Sequence, residues 1–130
     1  MKVVLDTNVY LSVFLFKGTA ALAFERCVTN HQIFISEWIL AEIQEKLSEK
    51  FHLTEREVQV IEREILISAT LLEPTNELPI ASPDPDDNNV LRLVEFVDAE
   101  YLITGDKALI GLQKFANAHI VSPGDFLKLG

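Results

Sequence analysis

The chain has 130 residues, 48% of them hydrophobic and 24% charged, with 20 Asp and Glu against 11 Lys and Arg and a formal net charge of −9. That length suits one domain spanning residues 1–130, and so apolar a composition argues against a disordered polymer. No apolar run approaches the roughly 18 to 20 residues that cross a bilayer, and the start MKVVLDTNV has an acid where a signal peptide would be apolar, so neither membrane insertion nor secretion is expected. Cys27 has no second cysteine to pair with, which fits a reducing cytoplasm. The acidity excludes a protein that grips phosphates with a generally basic surface.

Lys2 to Leu5 reads as a short strand of the kind buried in a parallel sheet, and Asp6-Thr7-Asn8 then opens a helix carrying Val9, Leu11, Val13 and Phe14. Thr19 to Thr29 reads as a second helix and Ile33 to Ile35 as a second strand. Ser36 is an N-cap for a helix with Ile39, Leu40, Ile43 and Leu47 on one face. Thr54-Glu55-Arg56-Glu57 has capping-box spacing and starts a helix with Val58, Ile61, Ile65 and Leu66. Pro74 to Pro85, with four prolines, reads as a loop inside the domain. Asp87-Asn88-Asn89 then opens a helix through Val90, Leu91, Val94 and Val97, followed by a strand from Tyr101 to Thr104. Asp106 caps a short helix, Ile120-Val121 is the last strand, and Ser122 caps a terminal turn. Strands alternating with helices predict an α/β fold, a three-layer α/β/α sandwich with a mostly parallel central sheet.

In such sheets, reactive groups gather beyond the carboxyl ends of the strands. Asp6 ends the first strand, and Asp106 follows the Tyr101 to Thr104 strand after one glycine. Glu42 flanks the apolar stripe of its helix at about 100° per residue, where it can look into a cleft, whereas Glu45 points nearly opposite, to water. Asp84, Asp86 and Asp87 crowd a helix start, a place where carboxylates are favoured by the helix dipole alone. Acids brought together along one sheet edge repel unless cations neutralise them. Hard divalent ions do so through oxygen ligands, and two of them can activate a water against a phosphodiester. His31, His52, His119 and Cys27 sit singly in different elements, so zinc spacing is absent.

With these residues in place, the chain resembles the PIN-domain family of metal-dependent ribonucleases, especially VapC-like toxin components of prokaryotic toxin-antitoxin systems. The resemblance rests on VVLDTNV at Val3 to Val9, SEWILAEI at Ser36 to Ile43, DPDDNNVL at Asp84 to Leu91, YLITGDKAL at Tyr101 to Leu109 and IVSPGDFL at Ile120 to Leu127. It implies Asp6, Glu42, Asp87 and Asp106 as the four catalytic metal carboxylates, with Asp86 able to take the inner position of Asp87. Asn8, Thr104 and Ser36 correspond to supporting positions. The implied reaction is cleavage of single-stranded RNA by water activated on Mg²⁺ or Mn²⁺. The implied partners are an antitoxin protein and a second copy of the chain in a homodimer. One departure is Asn89 to Glu95, where relatives commonly have smaller residues, so packing there can differ.

Two other readings fit the same acids: a catalytically weak PIN-like protein-binding module, and a phosphohydrolase with an aspartate nucleophile. Asn8 weakens the latter, because a second acid is expected two residues after such a nucleophile. RNA contacts in so acidic a chain fall to a few lysines. Of Lys17, Lys46, Lys50, Lys107 and Lys114, the first choice is Lys17 and Lys107, each a short helical segment beyond an acid-bearing strand. Trp38 and Phe51 read as core or interface residues.

Overall fold

The computed structural model describes residues 1–129. Among them the elements run β1 (Lys2–Leu5), α1 (Thr7–Leu15), α2 (Gly18–Asn30), β2 (Gln32–Ser36), α3 (Glu37–Glu49), α4 (Glu55–Ser68) and β3 (Ala69–Leu72). After a long loop follow α5 (Pro85–Val97), β4 (Tyr101–Ile103), α6 (Lys107–Leu112), β5 (Lys114–Phe115), β6 (Ala118–Val121) and α7 (Pro123–Lys128). The strands form one sheet in the order β3-β2-β1-β4-β6-β5. Every pairing is parallel except β5 with β6. The expected α/β/α sandwich with a mostly parallel sheet is therefore the fold.

The hydrophobic pattern explains the layers. Val3, Val4 and Leu5 are fully buried, as a central parallel strand covered on both faces requires. From β1 the chain moves outward to β2 and β3, then returns across the sheet to β4 and β6. Right-handed crossovers put the outward helices on one face and the returning α5 and α6 on the other. The packing agrees: α1 lies on α2 and α3, α3 on α4, and α7 on α2, while α5 lies on β1 and β2. Leu91, Leu93 and Val94 of α5 are fully buried against the sheet.

Most helix starts are capped as expected. Ser36 accepts from the Ile39 amide at 3.2 Å, and Thr54 and Glu57 complete a reciprocal capping box. Five features differ from expectation. The strand β3 follows α4 without a loop, because ILISATLL carries no breaker and only Thr70 hints at an extended backbone. Strand β5 is two residues long, too short to leave a periodic signal. Helix α5 starts at Pro85 with Asp84 as its N-cap, so Asp87 lies within the first turn and does not precede it. Proline fits the first helical position, where no amide partner is needed. Strand β4 ends at Ile103, which frees the Thr104 hydroxyl for the site, and β6 starts earlier, at Ala118.

Between α1 and α2 the axis bends by 108° at Lys17-Gly18, both with positive φ. Among the described residues no single helix is long and apolar enough to cross a membrane.

Candidate active site

Asp6 sits where β1 passes into α1. Its amide donates to the Ile103 carbonyl at 3.0 Å, extending the β1–β4 ladder by one residue. The side chain then caps α1: Oδ1 accepts from the Thr7 amide at 2.7 Å. Oδ2 accepts from the Thr104 hydroxyl at 2.8 Å. Thr104 is fully buried, its amide anchored to the Val121 carbonyl, and its Oγ1 also accepts from the Asp106 amide at 3.0 Å. One threonine thus ties together the acids that end β1 and follow β4. Asp106 in turn caps α6 by accepting from the Ala108 amide at 2.8 Å.

Asp87 reaches the same place from the first turn of α5. It is 6% exposed, against an exposed Asp86 beside it, so Asp87 is the inner acid. The Ser82 hydroxyl donates to its Oδ2 at 3.1 Å. The loop bearing Ser82 is clamped by Asn88, which accepts from the amides of Ala81 and Ser82 and donates to the Ser82 carbonyl at 2.8 Å. Burial and the adjoining Asp106 carboxyl push the Asp87 carboxyl up to about 6. The two carboxyls are neighbours at this sheet edge.

Glu42 comes from the second turn of α3, half-buried beside the Ile39 and Ile43 stripe as its spacing predicts. Burial raises its carboxyl, and the negative charges of Asp86 and Asp6 add to that. The Thr7 hydroxyl and the Lys46 ammonium act in the opposite direction. Thr7 Oγ1 is buried, and Glu42 is the group beside it on which its hydroxyl acts. Asp6 is likewise raised, first by burial and then by Asp106, against the bonds from Thr104 and Thr7 and the charge of Lys46.

The structure therefore brings Asp6, Glu42, Asp87 and Asp106 to one edge of the sheet, with Asp86 at its rim. No three of its acids, histidines or cysteines are close enough to form a ready-made metal cage among the described residues. None of the four acids is in an ion pair; the ion pair present among those residues is Lys128 with Asp125, on the surface. Ser36 acts indirectly, as the cap that sets the start of α3. Asn8 is exposed, as are Lys17 and Lys107. The positive charge felt at both Asp6 and Glu42 is that of Lys46. Glu45 is exposed, yet it lines the same cleft as Glu42. Thr7, Ser82 and Asn88 were not singled out by the sequence; Asn88, directly after the acids, carried the one local signal of the three. A separate cavity of about 130 Å³, lined by Met1, Arg26, His31, Tyr101, Phe126 and Leu129, lies at the opposite end of the strands.

Residues 2–108 match the model of the PIN domain, a span that contains all four acids. The chain belongs to the PIN-domain family. Among solved structures, this PIN domain is similar to VapBC2 from Rickettsia felis bound to a DNA fragment from their promoter. The TM-score is 0.69 and the identity 18%, with 92% of this chain and 97% of the other covered. At that identity the likeness is one of fold. None of the curated proteins matches the chain by sequence.

Proposed function

We propose that this PIN domain is a metal-dependent endoribonuclease that cleaves single-stranded RNA, acting as the toxin of a toxin-antitoxin pair. The observation that carries the reading is the convergence of four carboxylates, two of them buried, on one sheet edge without an ion-pair partner. Such a set is repulsive by itself and fits a hard divalent cation, since every donor is oxygen and no His or Cys takes part. Asp6, Glu42, Asp87 and Asp106 would hold one or two Mg²⁺ or Mn²⁺ ions, with Asp86 at the rim. Bound there, the metal supplies an activated water and shields the charge of the attacked phosphodiester.

The residues of the chain do the rest. Thr104 fixes the rotamer of Asp6 and the start of α6 together, so both strand-end acids are oriented by one group. Ser82 and Asn88 set Asp87. Asp87, raised to about 6, is ionised above that pH and must lose its proton below it before it can hold a cation. Asn8 stands where an aspartate-nucleophile enzyme would carry its second acid, which argues against an aspartyl-phosphate mechanism.

The likeness to one part of a two-component assembly supports an antitoxin partner, and the family resemblance supports a homodimer in the cytoplasm. The test is cleavage of single-stranded RNA by the purified chain with Mg²⁺ or Mn²⁺, with EDTA, and after Asp6→Asn. Cleavage confined to the first condition is expected. Cleavage indifferent to EDTA would remove the metal mechanism, and no cleavage anywhere would favour a protein-binding role.

A further inference from the structure

The chain contains a single tryptophan, Trp38, and it lies beside the acidic edge. Trp38, Glu42 and Lys46 are spaced by four on α3, so their side chains stack one above another on the same face of the helix. With Ala41, Glu45 and Asp86 they line an open cleft of about 370 Å³, within the size range of small-ligand sites. Trp38 packs one side on the core and is only half-buried, which leaves indole surface to the cleft. Lys46 is also half-buried, with no ion pair of its own among the described residues. An aromatic platform and a cation, set on either side of a proposed metal carboxylate, match the two needs of single-stranded nucleic acid: a π surface for a base and a charge for a phosphate.

We propose that this cleft is a nucleotide subsite of the acidic edge, in which Trp38 stacks a base flanking the cleaved phosphate and Lys46 holds the adjoining phosphate. This rests on the ribonuclease reading above and deepens it by naming how the strand is held. Stacking is tolerant of sequence because every base has a π face, so the subsite positions a strand without selecting one. It also resolves the charge problem: an acidic protein grips RNA through one ring, one lysine and the metal-neutralised edge, with no basic surface. Lys46 thereby replaces Lys17 and Lys107 as the phosphate contact.

Because Trp38 is the sole tryptophan, its emission reports on the cleft directly. The protein, held with Ca²⁺ to suppress turnover, is titrated with a short oligouridylate and with an abasic ribose-phosphate strand of equal length. Binding is followed in parallel by anisotropy of labelled strands. Quenching by the oligouridylate and little by the abasic strand is expected. Trp38→Leu should weaken the oligouridylate by about 5- to 100-fold and leave the abasic strand unchanged, while Trp38→Phe keeps most of the affinity. Lys46→Gln should weaken both strands alike and flatten the salt dependence by about 0.7 in log–log slope. In Mg²⁺ Trp38→Leu should act chiefly on KM, whereas Lys46→Gln should change both KM and kcat, because its charge also acts on Asp6 and Glu42.

Binding and cleavage with unchanged Trp38 emission and an unaffected Trp38→Leu variant would overturn the subsite and leave the nuclease intact. Quenching by an arginine-rich peptide and by neither strand would assign the cleft to a protein partner and overturn it too. Failure of the wild-type chain to bind or cleave any strand would remove both readings together.

Discussion

The Thr104 hydroxyl donates to Asp6 across 98 positions of sequence, at 2.8 Å, with neither side chain open to solvent. The bond partly offsets the penalty that burial places on the Asp6 carboxylate, and the same oxygen satisfies the Asp106 amide. Thr104→Val keeps the shape but leaves both groups short of a partner. We expect a loss of about 2 kcal/mol in urea unfolding, the usual scale for a bond to a charged group, and at least a tenfold fall in RNA cleavage. Thr104→Ser should recover most of both, which distinguishes the hydroxyl from the methyl.

On the proposed reading metal should stabilise the fold, since the assembled carboxylates would hold it and the unfolded chain would not. At a hundredfold excess over Kd the gain is about 2.7 kcal/mol, or roughly 10 °C in Tm for a chain of this size. Asp87→Asn removes one of two neighbouring acids, so the metal-free protein should melt no lower than wild type while its response to Mn²⁺ shrinks sharply. A scanning calorimeter reads both. A full Mn²⁺ response in Asp87→Asn would remove that residue from the ligand set.

The Asp87 carboxyl also sets a pH dependence. Its folded value of about 6 lies above the ordinary 3.8, so between these the native state holds more protons than the unfolded chain. Stability of the metal-free protein from this group is therefore full below about 3.8 and declines as pH rises through about 6. Metal binding must displace that proton, so affinity for Mn²⁺ should rise roughly tenfold per pH unit below about 6 and level off above it. Isothermal titration calorimetry at several pH values in buffers of different ionisation enthalpy checks the slope and the released proton. An affinity flat across the interval would contradict it.

Lys17 gives a prediction of the opposite kind. It has φ 61° and ψ −125°, a backbone state suited to glycine, and its side chain is exposed. Lys17→Gly should relieve the turn between α1 and α2, raising stability by about 1 kcal/mol with RNA cleavage unaltered. A clear loss of RNA affinity in that variant would return Lys17 to the binding surface.

The parts of the fold that could be read from sequence are those whose signal is local. The apolar run Val3 to Leu5 followed by Asp-Thr-Asn marks both β1 and the acid at its end, and Ser36 with the Ile39 to Leu47 stripe marks α3 and puts Glu42 on its flank. Strand β3 escaped because Ser68 passes into Ala69 with no turn residue between helix and strand. The start of α5 was misplaced because three nearby aspartates can each cap, and only the folded chain selects Asp84. Lys46 and Trp38 belong to a third class. Which lysine lies nearest Asp6 and Glu42 depends on how α3 packs against the sheet, a relation between distant segments, so spacing along the chain does not single out Lys46.

The sheet order has a consequence for how the protein comes into being. Strand β1 lies between β2 and β4, and Asp6 is bonded by Thr104 from 98 residues further along the chain, so this contact forms only once β4 and the residue after it have been made. A nascent chain can pair β1 with β2 early and still lack every acid contributed from the distal side. Any fragment ending before Thr104 carries Asp6 without the group that orients it.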